Sequence, residues 1–111
     1  MGRNRTFDTA EVLASARVAF ERSGYHGTSI GDLLSATGIQ RASLYQAFGS
    51  KRGVFLAALK AEPTMDLLLV ALMDLAAEDP EVRSVCRDAL ADAEDLVQVL
   101  GRQLLLRSGL R

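Results

Sequence analysis

The sequence predicts an all-α fold, and three observations carry that prediction. Only two prolines occur in 111 residues, β-branched runs are scarce, and helix-favouring alanine, leucine, arginine and glutamate are abundant. Hydrophobic residues make up 49% of the chain, enough to exclude disorder by composition and to build one modest core. Two short helical segments flank Thr37-Gly38-Ile39, and a third helix opens at Ser50-Lys51. That spacing is the layout of a helix-turn-helix. Residues 1–60 are thus expected to form a three-helix DNA-binding domain, and residues 61–111 a shortened helical dimerisation or regulatory region.

The first helix is expected over residues 8–23. Asp8 caps it, with Glu11 as the reciprocal partner of a capping box. Val12, Ala16, Ala19 and Phe20 recur at helical spacing as its inner stripe, and Gly24 stops it. Ser29 and Asp32 form a second capping box at the head of the next helix. Its Ile30, Leu33 and Leu34 point inward, and it ends near Ala36. Gly38 supplies the turn and Ile39 plugs the angle between the helices.

The third helix spans residues 40–48. Leu44 and Phe48, one turn apart, must face the core, which leaves Arg41, Ala42 and Tyr45 outside, near its N-terminal end. That is where a recognition helix meets base edges. Gln40, Ser43 and Gln46 of the same helix complete the candidate reading face. Thr28 and Ser29 offer hydroxyls and N–H groups to a phosphate, capping being the plainer role of Ser29. Tyr45 suits a phosphate or sugar contact, whereas Tyr25 is expected to pack between the first and fourth helices. The fourth helix, residues 50–61, carries Lys51 and Arg52 in its first turn. Cations there oppose the macrodipole at roughly 0.3–1 kcal/mol. A phosphate bound at that end would reverse the preference; a solvated basic turn is the alternative.

Glu62-Pro63-Thr64 breaks the chain. A fifth helix over residues 65–77 carries Met65, Leu67, Leu68, Leu69, Val70, Leu72, Met73 and Leu75. These cover more faces than one small core takes, so part of the helix is expected to face a second subunit. Asp79-Pro80 opens the last helix with proline in first position. Val82, Val85, Cys86, Ala89, Ala93, Leu96, Val97 and Leu100 read as one stripe interrupted at Gly101, with Asp88, Asp92 and Asp95 outside it. Leu68, Leu72, Ala89, Ala93, Leu96 and Leu100 are therefore the expected homodimer interface.

The formal net charge is −1, unpromising for a DNA binder, but the halves differ. Residues 1–60 hold eight lysines and arginines against four acids; residues 61–111 hold five arginines against ten acids. The front half can meet phosphates, and the back half should stay clear of them. The charged N-terminus has no apolar stretch behind it, and the apolar cluster of residues 67–73 is too short to span a bilayer, so a cytoplasmic protein with no membrane partner is expected. The single cysteine, Cys86, reads as a small buried hydrophobe. His26, the only histidine, has no cysteine nearby, so a metal site is unsupported. No nucleophile–base set and no glycine-rich phosphate fingerprint occur, so neither an enzyme nor a cofactor is expected. All six aromatics fall at or before Phe55, which leaves an aromatic-lined pocket for a small-molecule inducer without support.

Phe20, Gly24-Tyr25, Thr28-Ser29, Gly38-Ile39, Leu44-Tyr45, Phe48, Lys51 and Phe55, taken together in register, resemble the N-terminal domain of TetR/AcrR-type transcriptional regulators over roughly residues 7–59. The resemblance implies that Thr28, Arg41, Ser43, Tyr45 and Lys51 lie on the DNA side, and that a homodimeric repressor binds a palindromic operator. Three departures stand out. Gln40 replaces the usual capping serine or threonine, so the recognition helix should be capped less well. Ala47 stands where a histidine or tyrosine often meets a phosphate. About fifty residues follow Lys60, where such regulators usually carry a C-terminal domain roughly twice that size. Residues 66–106 resemble its middle helices, while the last two, which usually dimerise, are not expected here. The alternative is a truncated interaction protein that pairs with a full-length relative without regulating a promoter itself. Self-association of residues 65–106 separates the two.

Overall fold

The computed structural model describes residues 7–110, which form seven α-helices and no strand. They are α1 Thr9–Ser23, α2 Ile30–Thr37, α3 Arg41–Phe48, α4 Lys51–Ala61, α5 Met65–Asp74, α6 Pro80–Ala89 and α7 Leu96–Ser108. Local chemistry sets most of their starts. The carboxylates of Asp8, Asp79 and Asp95 and the hydroxyls of Ser29, Ser50 and Thr64 each accept a backbone N–H at a helix N-terminus. At α2 both halves of the capping box form. At α1 Asp8 accepts from Ala10 and Glu11, while no bond from the Glu11 carboxylate closes the box among the described residues.

One core runs through the molecule. The Phe20 ring stacks on Tyr25 and meets the edge of Phe55, and Leu33, Leu44 and Leu59 close around them. The same cluster continues without a break through Leu67, Val70, Val82 and Cys86. Residue 60 therefore marks a change of charge rather than a gap in packing. Cys86 is buried in this core, as a small hydrophobe would be, and burial pushes its thiol pKa up.

Two expectations about the second half need correction. Helix α5 does not keep a spare apolar face for a second subunit. Leu67, Leu68, Leu69, Val70 and Ala71 are all buried within the chain, because α1, α6 and α7 pack on it from different sides. Nor is the last stretch one helix. It breaks over residues 90–95 into α6 and α7, and Gly101 lies inside α7 instead of ending a helix. The physical cause is charge. Asp88 and Asp92 crowd the negative end of α6, where the macrodipole disfavours carboxylates, and Asp95 is better used as the cap of a new helix, accepting Gln98 N–H at 3.1 Å.

Candidate nucleic-acid interface

The turn between α2 and α3 sets the presentation of the third helix. Gly38 ends α2 in the left-handed region at φ 76°, ψ 4°, donating its N–H to Leu34 O, and Ile39 tucks against the core. On the far side, α3 and α4 are brought close at Gly53. A Cβ there would lie 1.9 Å from Phe48 O, so only glycine fits. Leu44 is buried, Phe48 is half-buried against the core, and α3 is held with its opposite side outward.

That outward side carries Arg41, Ala42, Tyr45 and Gln46, all exposed. Tyr45 keeps 42% of its surface. The side chains of Arg41, Tyr45 and Gln46 make no hydrogen bond or ion pair with the described residues. Gln40 makes no side-chain cap, as its amino-acid type suggests, and the first intrahelical bond runs from Leu44 N–H to Gln40 O. The N–H groups of the first turn are therefore left for an acceptor from outside. Ser43 departs from the outward row: it is half-buried and looks into a groove of about 690 Å³ between the starts of α1 and α3, whose far wall includes Asp8 and Glu11.

The other expected contact residues are engaged within the fold. Thr28 is buried, and its hydroxyl donates to Gly24 O at 2.6 Å, so it holds the α1–α2 loop and has no free donor. Ser29 is exposed, but its hydroxyl oxygen and its N–H are both engaged in the capping box with Asp32. The Ser29 bonds hold the Asp32 carboxyl below its ordinary value. Lys51 reaches back across the same loop. Its ammonium donates to Tyr25 O and Thr28 O, both at 3.0 Å, and sits 4.2 Å from the Tyr25 ring centroid. Two of its three donors are thus committed to the fold.

Arg52, paired with Lys51 in the expectation of an anion site, is instead clasped by α6. It forms a fork on Asp79 at 2.6 and 3.0 Å and reaches Glu81 at 2.9 Å. The Arg52 hydrogen bonds hold the Asp79 carboxyl down to about 2. The carboxylates cancel its charge, so no lone cationic turn remains for a phosphate to settle. Sequence reading missed this clasp. The signal was present in Asp79-Pro80-Glu81, which sets two carboxylates at the start of one helix, but only the fold shows what they face.

A second polar network, also not foreseen, fixes α7. Gln103 donates to Asp66 at 3.0 Å, Arg107 pairs with Asp66 at 3.6 Å, and Arg107 also donates to Glu21 O. The expected dimer residues are scattered by this arrangement. Leu68 is in the core, Leu72 and Leu100 are half-buried, Ala93 lies in the loop between α6 and α7, and only Ala89 and Leu96 are exposed. Among the described residues no group of three His, Cys, Asp or Glu is placed to hold a metal ion, and no helix is long and apolar enough to cross a membrane.

Comparison with known proteins points the same way as this geometry. Residues 12–58 match the family of bacterial regulatory proteins, tetR family. The chain is 56% identical over 61 residues to the uncharacterized HTH-type transcriptional regulator YezE of Bacillus subtilis, which covers 55% of this chain and 31% of that protein. It is 39% identical over 54 residues to the HTH-type transcriptional repressor BdcR of Escherichia coli, covering 49% and 27%. With the HTH-type transcriptional repressor AcnR of Corynebacterium glutamicum it shares 36% identity over 86 residues, covering 72% and 46%. The chain thus spans less than half the length of each of these relatives. No solved structure matches it significantly. The matched segment holds most of α1, all of α2 and α3 and most of α4, the same elements that present Arg41 and Tyr45. Residues 12–58 are thus similar to the tetR family of bacterial regulatory proteins, and the relatives they match are named as HTH-type transcriptional regulators or repressors.

Proposed function

We propose that this protein is a sequence-specific DNA-binding transcriptional regulator, a cytoplasmic repressor that acts as a homodimer on a palindromic operator and has no catalytic activity. The observation that carries the reading is the outward row on α3. Arg41, Tyr45 and Gln46 are exposed and unengaged among the described residues, on a helix whose own N-terminal N–H groups lack a side-chain cap. Exposed, unpaired polar groups at the start of a helix suit base edges and phosphates. The eight residues of α3 extend about 12 Å, a length that fits the major groove. Arg41 is the candidate for reading a guanine edge, Gln46 for an adenine edge, and Tyr45 for the sugar–phosphate backbone. Ala42, small and exposed beside them, allows close approach to a thymine methyl. Two of the matched relatives carry the name of transcriptional repressors, which supports repression as the sense of regulation.

Thr28, Ser29 and Lys51 enter this reading as scaffold first. Lys51 retains one donor beyond its two carbonyl partners and is half-exposed, so a single phosphate contact remains open to it. A gel-shift titration tests the assignment. Arg41→Ala is expected to relax sequence preference, lowering affinity for a preferred duplex by roughly ten- to a hundredfold while leaving non-specific binding little changed. If Arg41→Ala instead weakens all duplexes equally, base reading by Arg41 is wrong.

A further inference from the structure

The loop that leads into α2 is held by the end of α5. Helix α5 ends at Asp74, and this residue bonds to the loop twice. Its carboxylate accepts the Tyr25 N–H at 2.9 Å. Its backbone carbonyl, one of the acceptors a helix C-terminus leaves open, stands 3.2 Å from His26 Nε2 and accepts the ring N–H. The approach is close, since a Cβ at Gly24 would lie 3.3 Å from the same carboxylate oxygen. Helices α2 and α3 pack chiefly on α1, on α4 and on each other. Among the described residues, the hydrogen bonds that residues 61–111 make into residues 24–48 come from Asp74 alone.

Tyr25 joins this grip to that of Lys51. Its N–H goes to Asp74 on α5, while its carbonyl accepts from the Lys51 ammonium on α4. Its ring meets Phe55 edge-on and lies beneath the same ammonium. The second Lys51 acceptor, Thr28 O, belongs to a residue whose hydroxyl is tied to Gly24, next to Tyr25. An ammonium has three N–H groups at fixed angles. Once Tyr25 O and Thr28 O take two of them, the direction of the third is determined by where those carbonyls stand. Asp74 fixes the residue that supplies one of the two.

We propose that Asp74 is a positioning residue for DNA binding, which acts through Tyr25 to hold the Lys51 cradle so that the third N–H of the ammonium is presented to a phosphate. This rests on the DNA-binding reading above and adds to it a residue that needs no contact with DNA. Two effects of opposite sign separate this role from plain charge. A carboxylate close to bound DNA repels phosphates, so removing its charge raises affinity. Removing its acceptor oxygen frees Tyr25 and lowers affinity. Asp74→Asn removes the charge and keeps an acceptor, whereas Asp74→Ala removes both, so the ratio between these two variants isolates the hydrogen bond.

Titration of the full chain with one mixed-sequence duplex at several salt concentrations tests the assignment, with circular dichroism to confirm that each variant is folded. Asp74→Ala is expected to bind about three- to tenfold more weakly than Asp74→Asn, with a salt slope lower by about one phosphate contact. In a Lys51→Met background the two variants are expected to bind alike. Equal affinity of Asp74→Ala and Asp74→Asn with Lys51 present overturns the positioning role. A gap between them that persists undiminished in Lys51→Met overturns the route through Lys51. A measurement on wild type does not depend on the variants folding. Coupling is reciprocal, so DNA must in turn strengthen the Tyr25–Asp74 bond, and hydrogen exchange at the Tyr25 amide is expected to slow when the duplex is added. Exchange that the duplex leaves unchanged overturns the coupling while leaving DNA binding standing. Wild-type protein that binds no duplex at low salt overturns both the coupling and the DNA-binding reading.

Discussion

A polar side chain that reads as a contact can be a fastener of the fold, and Lys51 shows how. By type and position it reads as a phosphate ligand, yet its ammonium closes on two loop carbonyls and the Tyr25 face. Those carbonyls belong to residues 23 and 26 positions earlier in the chain, a juxtaposition no local pattern announces. Lys51→Met keeps the stem and removes the donors, and is expected to destabilise by on the order of 1–2 kcal/mol in urea denaturation. A change within error would mean that the ammonium serves only an external partner. Thr28→Val similarly removes the bond to Gly24 O and is expected to cost about 1 kcal/mol, with DNA affinity of the folded fraction unchanged. The Arg52–Asp79 clasp predicts a pH effect. Asp79 falls from an ordinary 3.8 to about 2 in the folded state, so its stabilisation is fully present above pH 3.8 and is lost as pH falls toward 2. Thermal midpoints taken from pH 5 down to 2 should drop more steeply for wild type than for Asp79→Asn, since the asparagine does not titrate. Parallel curves would show that the clasp contributes nothing to folding.

At the scale of elements, the segments with short-range grammar were legible. The Ser29–Asp32 box, the Gly38 turn, the inward Leu33, Leu34 and Leu44, and the Thr64 and Asp79 helix starts all follow from neighbours within four residues. The outward face of α3 was legible for the same reason, being the complement of Leu44 and Phe48. What the sequence did not disclose depends on distant partners. Helix α5 looked over-supplied with leucine because its neighbours α1, α6 and α7 could not be placed around it. The break at residues 90–95 was hidden because the apolar stripe kept its helical period across it, while the acidic crowding at Asp88 and Asp92 outweighed that period. The turn carries its own test. Gly38→Val forces a β-branched side chain to φ 76° and is expected to destabilise by roughly 1 kcal/mol or more. An unchanged melting temperature would show that the α2–α3 turn tolerates another geometry and does not set the angle of α3.

The whole molecule is longer than its size requires. Its radius of gyration is 14.8 Å and its long axis 49 Å, whereas a compact domain of this length would have a radius near about 13 Å. The basic surplus of residues 1–60 and the acidic surplus of residues 61–111 meet along this body, where Arg17 pairs with Glu62, Arg52 with Asp79 and Glu81, and Lys60 with Glu81. The slope of affinity against salt should accordingly be shallow per protomer, since Arg52 is cancelled by carboxylates and Lys51 is mostly committed to the fold. The central claim is that α3 reads duplex sequence as one half of a symmetric pair. Selection from a pool of random-sequence duplexes at low salt, followed by sequencing, tests it most directly. The account predicts enrichment of an inverted repeat by wild-type protein and loss of that enrichment in Arg41→Ala. Wild-type protein that retains no duplex, or retains it without enriching any sequence, would contradict it.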